Sequence, residues 1–223
     1  MGPYLESQDI CAISSHHIQF PLPSPAGIEL LPVIALRNPI DRARSVYDFE
    51  RRQDADTPGA VKARSLSFAD YVRWRMLPEA SPTIRNFQCC FCTSSFDTPV
   101  NEQQYLEGVA LLTRTPLLVI VERYDESMVL LEHHLRRHFP ELDLSYVPQN
   151  VTAERADTPE QRVEAVYAEL GPELTVELRE NNHWDVKLYE DANALFSERL
   201  SAIGRLEELL AEFRSRCRRL SND

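Results

Sequence analysis

Leu31–Arg52, LPVIALRNPIDRARSVYDFERR, is the stretch whose reading decides the fold. It opens on an apolar run, Leu31 to Leu36, of strand length and rich in branched residues, which predicts a buried strand. The run stops at Arg37. Asn38 is a favourable N-cap, Pro39 suits a first helical position that needs no N–H, and Asp41 brings a carboxylate to the positive end of the helix that follows. A strand, a tight turn and a helix are therefore written within a few residues. Such a junction gathers free N–H groups and a helix dipole at the carboxyl end of a strand, where open α/β sheets bind ligands, often anionic ones. Arg37 stands on that rim, and Ser45 lies about two turns into the helix. A guanidinium and a hydroxyl reaching across the turn are suited to grip one phosphate. The same residues also read as an ordinary strand and capped helix, with Arg37 in a surface ion pair and Ser45 solvated.

Composition sets the outer limits. With 223 residues, 43% hydrophobic and 26% charged, the chain predicts one well-packed domain over residues 1–223. A net charge of -11 argues against a generic nucleic-acid binder and against attraction to an anionic membrane. The basic residues are almost all arginine, and the lysines are Lys62 and Lys187 alone, so few candidates exist for a catalytic ammonium. Five cysteines without a disulfide-framework spacing predict a reducing, cytoplasmic compartment. Cys89, Cys90 and Cys92 invite a metal reading, but no second cluster of ligand spacing follows, and Phe87, Phe91 and Phe96 around them predict burial, so no metal is expected. No apolar run approaches the length of a membrane span, and no basic segment followed by an apolar core opens the chain.

Outward from the central stretch, Ile10–Ile13 reads as a short strand leading to Ser14, Ser15, His16 and His17 and then to a loop with Pro21, Pro23 and Pro25. Asp54–Gly59 reads as a polar linker, and Ser67 as the N-cap of a helix through Phe68, Tyr71, Val72 and Met76. Glu102–Arg114 predicts an amphipathic helix closed by Pro116, and Leu117–Val121, LLVIV, a second buried strand. Glu122 and Arg123 at its end read either as substrate-orienting groups or as a mutual ion pair. A helix with Met128, Leu131 and Leu135 inward follows, its histidines His133, His134 and His138 toward the polar side. Thr158 and Pro159 start another helix that Gly171 and Pro172 break. A long helix begins at His183, and an arginine-rich amphipathic segment, Leu206–Leu220, forms a C-terminal tail (205–223) able to pack back or join a second copy in a homo-oligomer.

Several of these segments together resemble a known family. Arg37, Asn38 and Pro39 with Arg42 and Ser45 after a hydrophobic strand resemble the segment with which sulfotransferases hold the 3′-phosphate of the sulfate donor PAPS. Arg85–Gln88, the run from Glu122 to Ser127 after a strand, and the helix DVKLYEDANALFSERL also resemble bacterial and carbohydrate-type members, so the likeness spans roughly residues 10–200. The resemblance implies an α/β fold with a central parallel sheet flanked by helices, related to the P-loop NTPases. It also implies a mobile acceptor-site insert within 54–80. The implied reaction moves a sulfuryl group from PAPS to a hydroxyl of a carbohydrate or small molecule and leaves PAP. Arg37 and Ser45 would hold the donor, and His17, followed by Phe20 as in the carbohydrate-type enzymes, would be the base, with His16 as its nearest substitute. One family feature is missing. None of the six glycines is followed by Lys, Ser or Thr, so the lysine-bearing loop for the 5′-phosphosulfate is absent. Either the fold is N-terminally incomplete, or donor binding has been lost or relocated. The alternative function is a non-catalytic nucleotide-binding or interaction protein.

Overall fold

The structure, a computed structural model, describes residues 12–14, 18, 20–96, 99–148 and 158–221. Strand β1 (Val33–Leu36) pairs in parallel with β2 (Leu117–Ile120), in the register Val33 opposite Leu117 and Leu36 opposite Ile120. Among the described residues these two strands form the whole sheet, and the rest of the regular structure is helical. The expected central parallel sheet flanked by helices is thereby overturned. The residues themselves mark few strands. Apart from the two branched apolar runs, almost every patterned segment repeats at three and four residues, the spacing of helices. The third expected strand fails where it can be followed, since Ala12–Ser14 is irregular.

The two strands differ in how they are covered. β2 is buried along its length because its alternate side chains enter two cores: Leu118 and Ile120 one, Leu117 and Val119 another. β1 buries Ile34 and Leu36 but turns Val33 and Ala35 outward, so it is half-covered where the sequence predicts full burial.

Helix α1 (Pro39–Arg52) starts as expected, with Asn38 Oδ1 accepting the N–H groups of Ile40 at 3.0 Å and Asp41 at 3.3 Å. It buries Ile40, Ala43 and Tyr47. Two short helices follow, α2 (Pro58–Ser65), capped by Thr57, and α3 (Phe68–Met76), capped by Ser67. The expected linker thus ends early, because Thr57 and Pro58 are a strong start signal. Phe68, Tyr71 and Val72 pack on α1 and on α7 (Pro159–Glu180), which contributes Val166, Leu170, Leu174 and Leu178. α7 breaks where Gly171, at φ 73°, precedes Pro172.

α4 (Phe87–Thr93), α5 (Glu102–Arg114) and α8 (His183–Ser201) enclose the first core around Ile34, Leu112, Leu188 and Phe196. α6 (Tyr124–Leu135) and α9 (Leu206–Leu220) enclose the third, in which Leu210 and Phe213 bury the apolar stripe of the C-terminal helix within its own chain. No helix among the described residues is long and apolar enough to cross a membrane.

A buried ionic set joins α1 to α3. Arg75 donates from Nη2 to both Glu50 oxygens at 2.6 and 2.8 Å and from Nε to Tyr71, whose own hydroxyl donates to Glu50 Oε2 at 2.5 Å. Gly59 lies against this set, and a Cβ there would overlap the Glu50 carboxylate and the Arg75 guanidinium. Gly59→Ala is therefore expected to destabilise the chain by about 1–3 kcal/mol through overpacking, read as a lower urea midpoint. An unchanged midpoint would mean that the set yields without cost.

Candidate functional site

The site is built where β1 ends. The backbone of Arg37 is held by one side chain of α4: its N–H donates to Gln88 Oε1 at 2.8 Å, and its carbonyl accepts from Gln88 Nε2 at 2.9 Å. The next N–H, of Asn38, donates to Glu122 Oε1 at 2.9 Å, and Tyr189 donates its hydroxyl to Glu122 Oε2 at 2.9 Å. Glu122 therefore ties the ends of both strands to α8. Glu122 and Arg123 do not form the mutual ion pair, since Arg123 pairs with Glu126.

Gln88 is fixed in turn. Its N–H and that of Cys89, at the start of α4, donate to the Asp185 carboxylate of α8 at 2.9 and 2.8 Å. Asn86 returns the arrangement by accepting the N–H groups of Trp184 and Asp185, each at 3.0 Å, at the start of α8. The two helix starts cap each other. Burial raises the Asp185 carboxyl above its ordinary range, against the hydrogen bonds and the Arg42 charge that favour the ionised form.

Beside this frame lies an open pocket of about 850 Å³ whose lining includes Arg37, Arg42, Ser45, Arg52, Phe49 and Phe87. Arg37 and Ser45 both line this cavity. Arg37 is also engaged at its base, donating from Nε and Nη2 to Asp41 Oδ2 at 2.8 and 2.6 Å, while its Nη1 makes no hydrogen bond among the described residues. Arg42 lies over the Phe87 ring at 4.2 Å and donates from Nη1 to the Thr83 carbonyl at 2.6 Å. Loss of solvent pushes its guanidinium down to about 10, partly countered by Asp185, so it stays cationic at neutral pH. Arg52 completes the positive rim, anchored by a bond from Nε to the Asp48 carbonyl at 3.1 Å. Three guanidiniums, a hydroxyl and two aromatic rings suit a phosphate attached to an organic body.

His17 and His16 lie outside the described residues. Lys62 is on α2, and Lys187 on α8 stands over the Tyr105 and Trp184 rings; neither lines the pocket. The sequence reading missed Gln88 as a holder of the strand end, Asp185, and Arg52. The likeness over Arg85–Gln88 touched the first, but no local signal links Asp185 to it across the intervening chain.

Cys89, Cys90 and Cys92 are buried free thiols, and no cluster of metal-ligating residues occurs among the described residues. Burial pushes Cys90 up to about 11 and Cys92 up to about 12. An unfolded chain releases such protons near pH 8.5, whereas the folded chain keeps them. Between about pH 9 and 11 the native state therefore binds more protons than the unfolded one, and stability falls as pH rises. Melting at pH 10 is expected below that at pH 8, with a smaller difference in Cys92→Ala; equal melting in both proteins would overturn the assignment.

A protein of Archaeoglobus fulgidus, described as an uncharacterized protein, is 31% identical to this chain over 195 residues, covering 85% of this chain and 77% of that protein. The chain belongs to the same protein family as this archaeal relative. No protein-family model matches the chain, and no solved structure matches it.

Proposed function

We propose that the pocket at the end of β1 binds the 3′-phosphate of PAPS and that the chain is a sulfotransferase acting on a hydroxyl of a carbohydrate or small molecule. The supporting observation is that Arg37 and Ser45 line one cavity together with Arg42 and Arg52. In the reaction the acceptor oxygen bonds to sulfur as the bond from sulfur to the bridging phosphate oxygen breaks. PAP leaves, and the hydroxyl proton passes to His17. Neither lysine lines the pocket, so the cation that the family places on the leaving 5′-phosphate has no lysine counterpart there.

The remoteness of both lysines favours a second reading, a nucleotide-binding protein without transfer. The two separate in one experiment. Labelled PAPS with a mixed hydroxyl acceptor panel gives a sulfated product that Arg37→Ala abolishes if the chain is the enzyme. Binding of PAP without product supports the second reading, and binding of neither overturns both. The free thiols of Cys89, Cys90, Cys92 and Cys217 support a reducing, cytoplasmic setting. A homo-oligomer through the C-terminal helix would have to use its outer face, since Leu210 and Phe213 are spent within the chain.

A further inference from the structure

A second cationic site lies away from the first. The runs His133–His138, HHLRRH, and Arg214–Arg219, RSRCRR, are far apart in sequence, yet the packing of α6 on α9 brings them to one groove of about 540 Å³. Its polar lining includes His133, Arg136, Arg216, Arg219 and Glu212, and Val129 and Leu209 form apolar wall.

The arginines are preset from behind. Glu132 is buried, and its Oε2 accepts Arg136 Nη2 at 2.8 Å from the end of its own helix and Arg216 Nη2 at 2.7 Å from α9. Its other oxygen accepts the Leu144 N–H at 2.8 Å. Further bonds, Arg136 Nε to the Leu142 carbonyl at 3.0 Å and Arg216 Nη1 to Asp143 at 2.8 Å, fix both planes. Two guanidiniums from different helices are thus fastened side by side on one carboxylate oxygen, with much of their rotamer entropy already lost. Favouring the negative ends of two helices needs no such shared anchor. Arg219, exposed on the same face of α9, makes no hydrogen bond or ion pair among the described residues, and His133 is exposed opposite it.

We propose that this groove binds the phosphate group of a small phosphate monoester, with Arg136, Arg216 and Arg219 as its ligands and His133 as a further donor. Glu132 and Asp143 are consumed in holding the arginines, whereas Glu212 stands on the groove wall. That carboxylate repels a second phosphate and can accept a hydrogen bond from a hydroxyl of the organic body, which favours a monoester over a polyphosphate.

The test titrates inorganic phosphate into the full chain and follows the His133 imidazole resonance, which reports this groove and not the Arg37 pocket. Saturable movement is expected, and Arg219→Ala and Arg136→Gln should each raise the apparent dissociation constant at least about tenfold, the loss of one charge-assisted contact. Arg219 is exposed, so its replacement leaves the fold intact even where Arg136→Gln disturbs the Glu132 anchor. PAP affinity, measured on the same proteins, should not change in Arg219→Ala, so the two sites stand or fall separately. A resonance that does not move with phosphate, or one that moves with unaltered affinity in Arg219→Ala, overturns the proposal.

Discussion

Asp185→Ala is expected to cost about 3–5 kcal/mol of stability, by leaving the buried N–H groups of Gln88 and Cys89 without an acceptor. For a chain of this size that corresponds to a fall of roughly 10 °C in melting temperature. Three consequences run together. The start of α4 loses its cap, α4 and α8 lose half of their reciprocal tie, and Arg42 loses the carboxylate that offsets its burial. The effect should reach the candidate site, because the Gln88 side chain holds both backbone polar groups of Arg37. Asp185→Asn is the informative companion. Its amide keeps an acceptor for one N–H but turns a donor toward the other, while removing the cost of a buried charge, so its loss should be smaller than that of alanine. Equal melting of Asp185→Ala and the unaltered protein would show that neither N–H depends on this carboxylate.

Arg37→Ala is expected to weaken PAP binding by roughly 30- to 100-fold, the equivalent of about 2–3 kcal/mol for charge-assisted hydrogen bonds to phosphate. The substitution also acts on the fold. Asp41 is buried and takes two bonds from Arg37, and with that partner gone it keeps Arg162 Nε at a longer 3.4 Å. Removing one cationic partner of a buried carboxylate lowers stability, so lost binding must be read alongside the melting temperature. Ser45→Ala removes that ambiguity. Ser45 lines the pocket and its hydroxyl makes no hydrogen bond among the described residues, so a loss of up to about tenfold in PAP affinity at unchanged melting would be a site effect. Calorimetric titration of the unaltered chain and both variants decides the matter, and unaltered affinity in both would remove the pocket from nucleotide binding.

Much of the secondary structure was legible because local chemistry writes it. Asn38 with Pro39, Ser67, and Thr158 with Pro159 start helices where the side chains and the missing proline N–H satisfy the first turn, and Gly171 with Pro172 breaks one. The two strands were legible as short runs of branched apolar residues. What misled was the step from those strands to a sheet. Likeness of segments implied a central parallel sheet, whereas the hydrophobic periods between them were helical, and helices cover β2 on both sides.

The candidate site divides along the same line. Arg37 and Ser45 were legible as a pair because eight residues of one strand–turn–helix fix their separation. Residues distant in sequence were not. Gln88, Glu122 and Asp185 hold the strand end from three other elements, and Glu132 gathers arginines from two helices, each through bonds that no local pattern encodes. By itself the sequence determined the two strands and the starts of the capped helices at Pro39, Phe68, Glu102 and Pro159, because caps, prolines and periodicity act over a few residues. The tertiary structure alone decided that the sheet has two strands among the described residues and which charges meet, because burial and pairing depend on surfaces that exist only once the helices have packed.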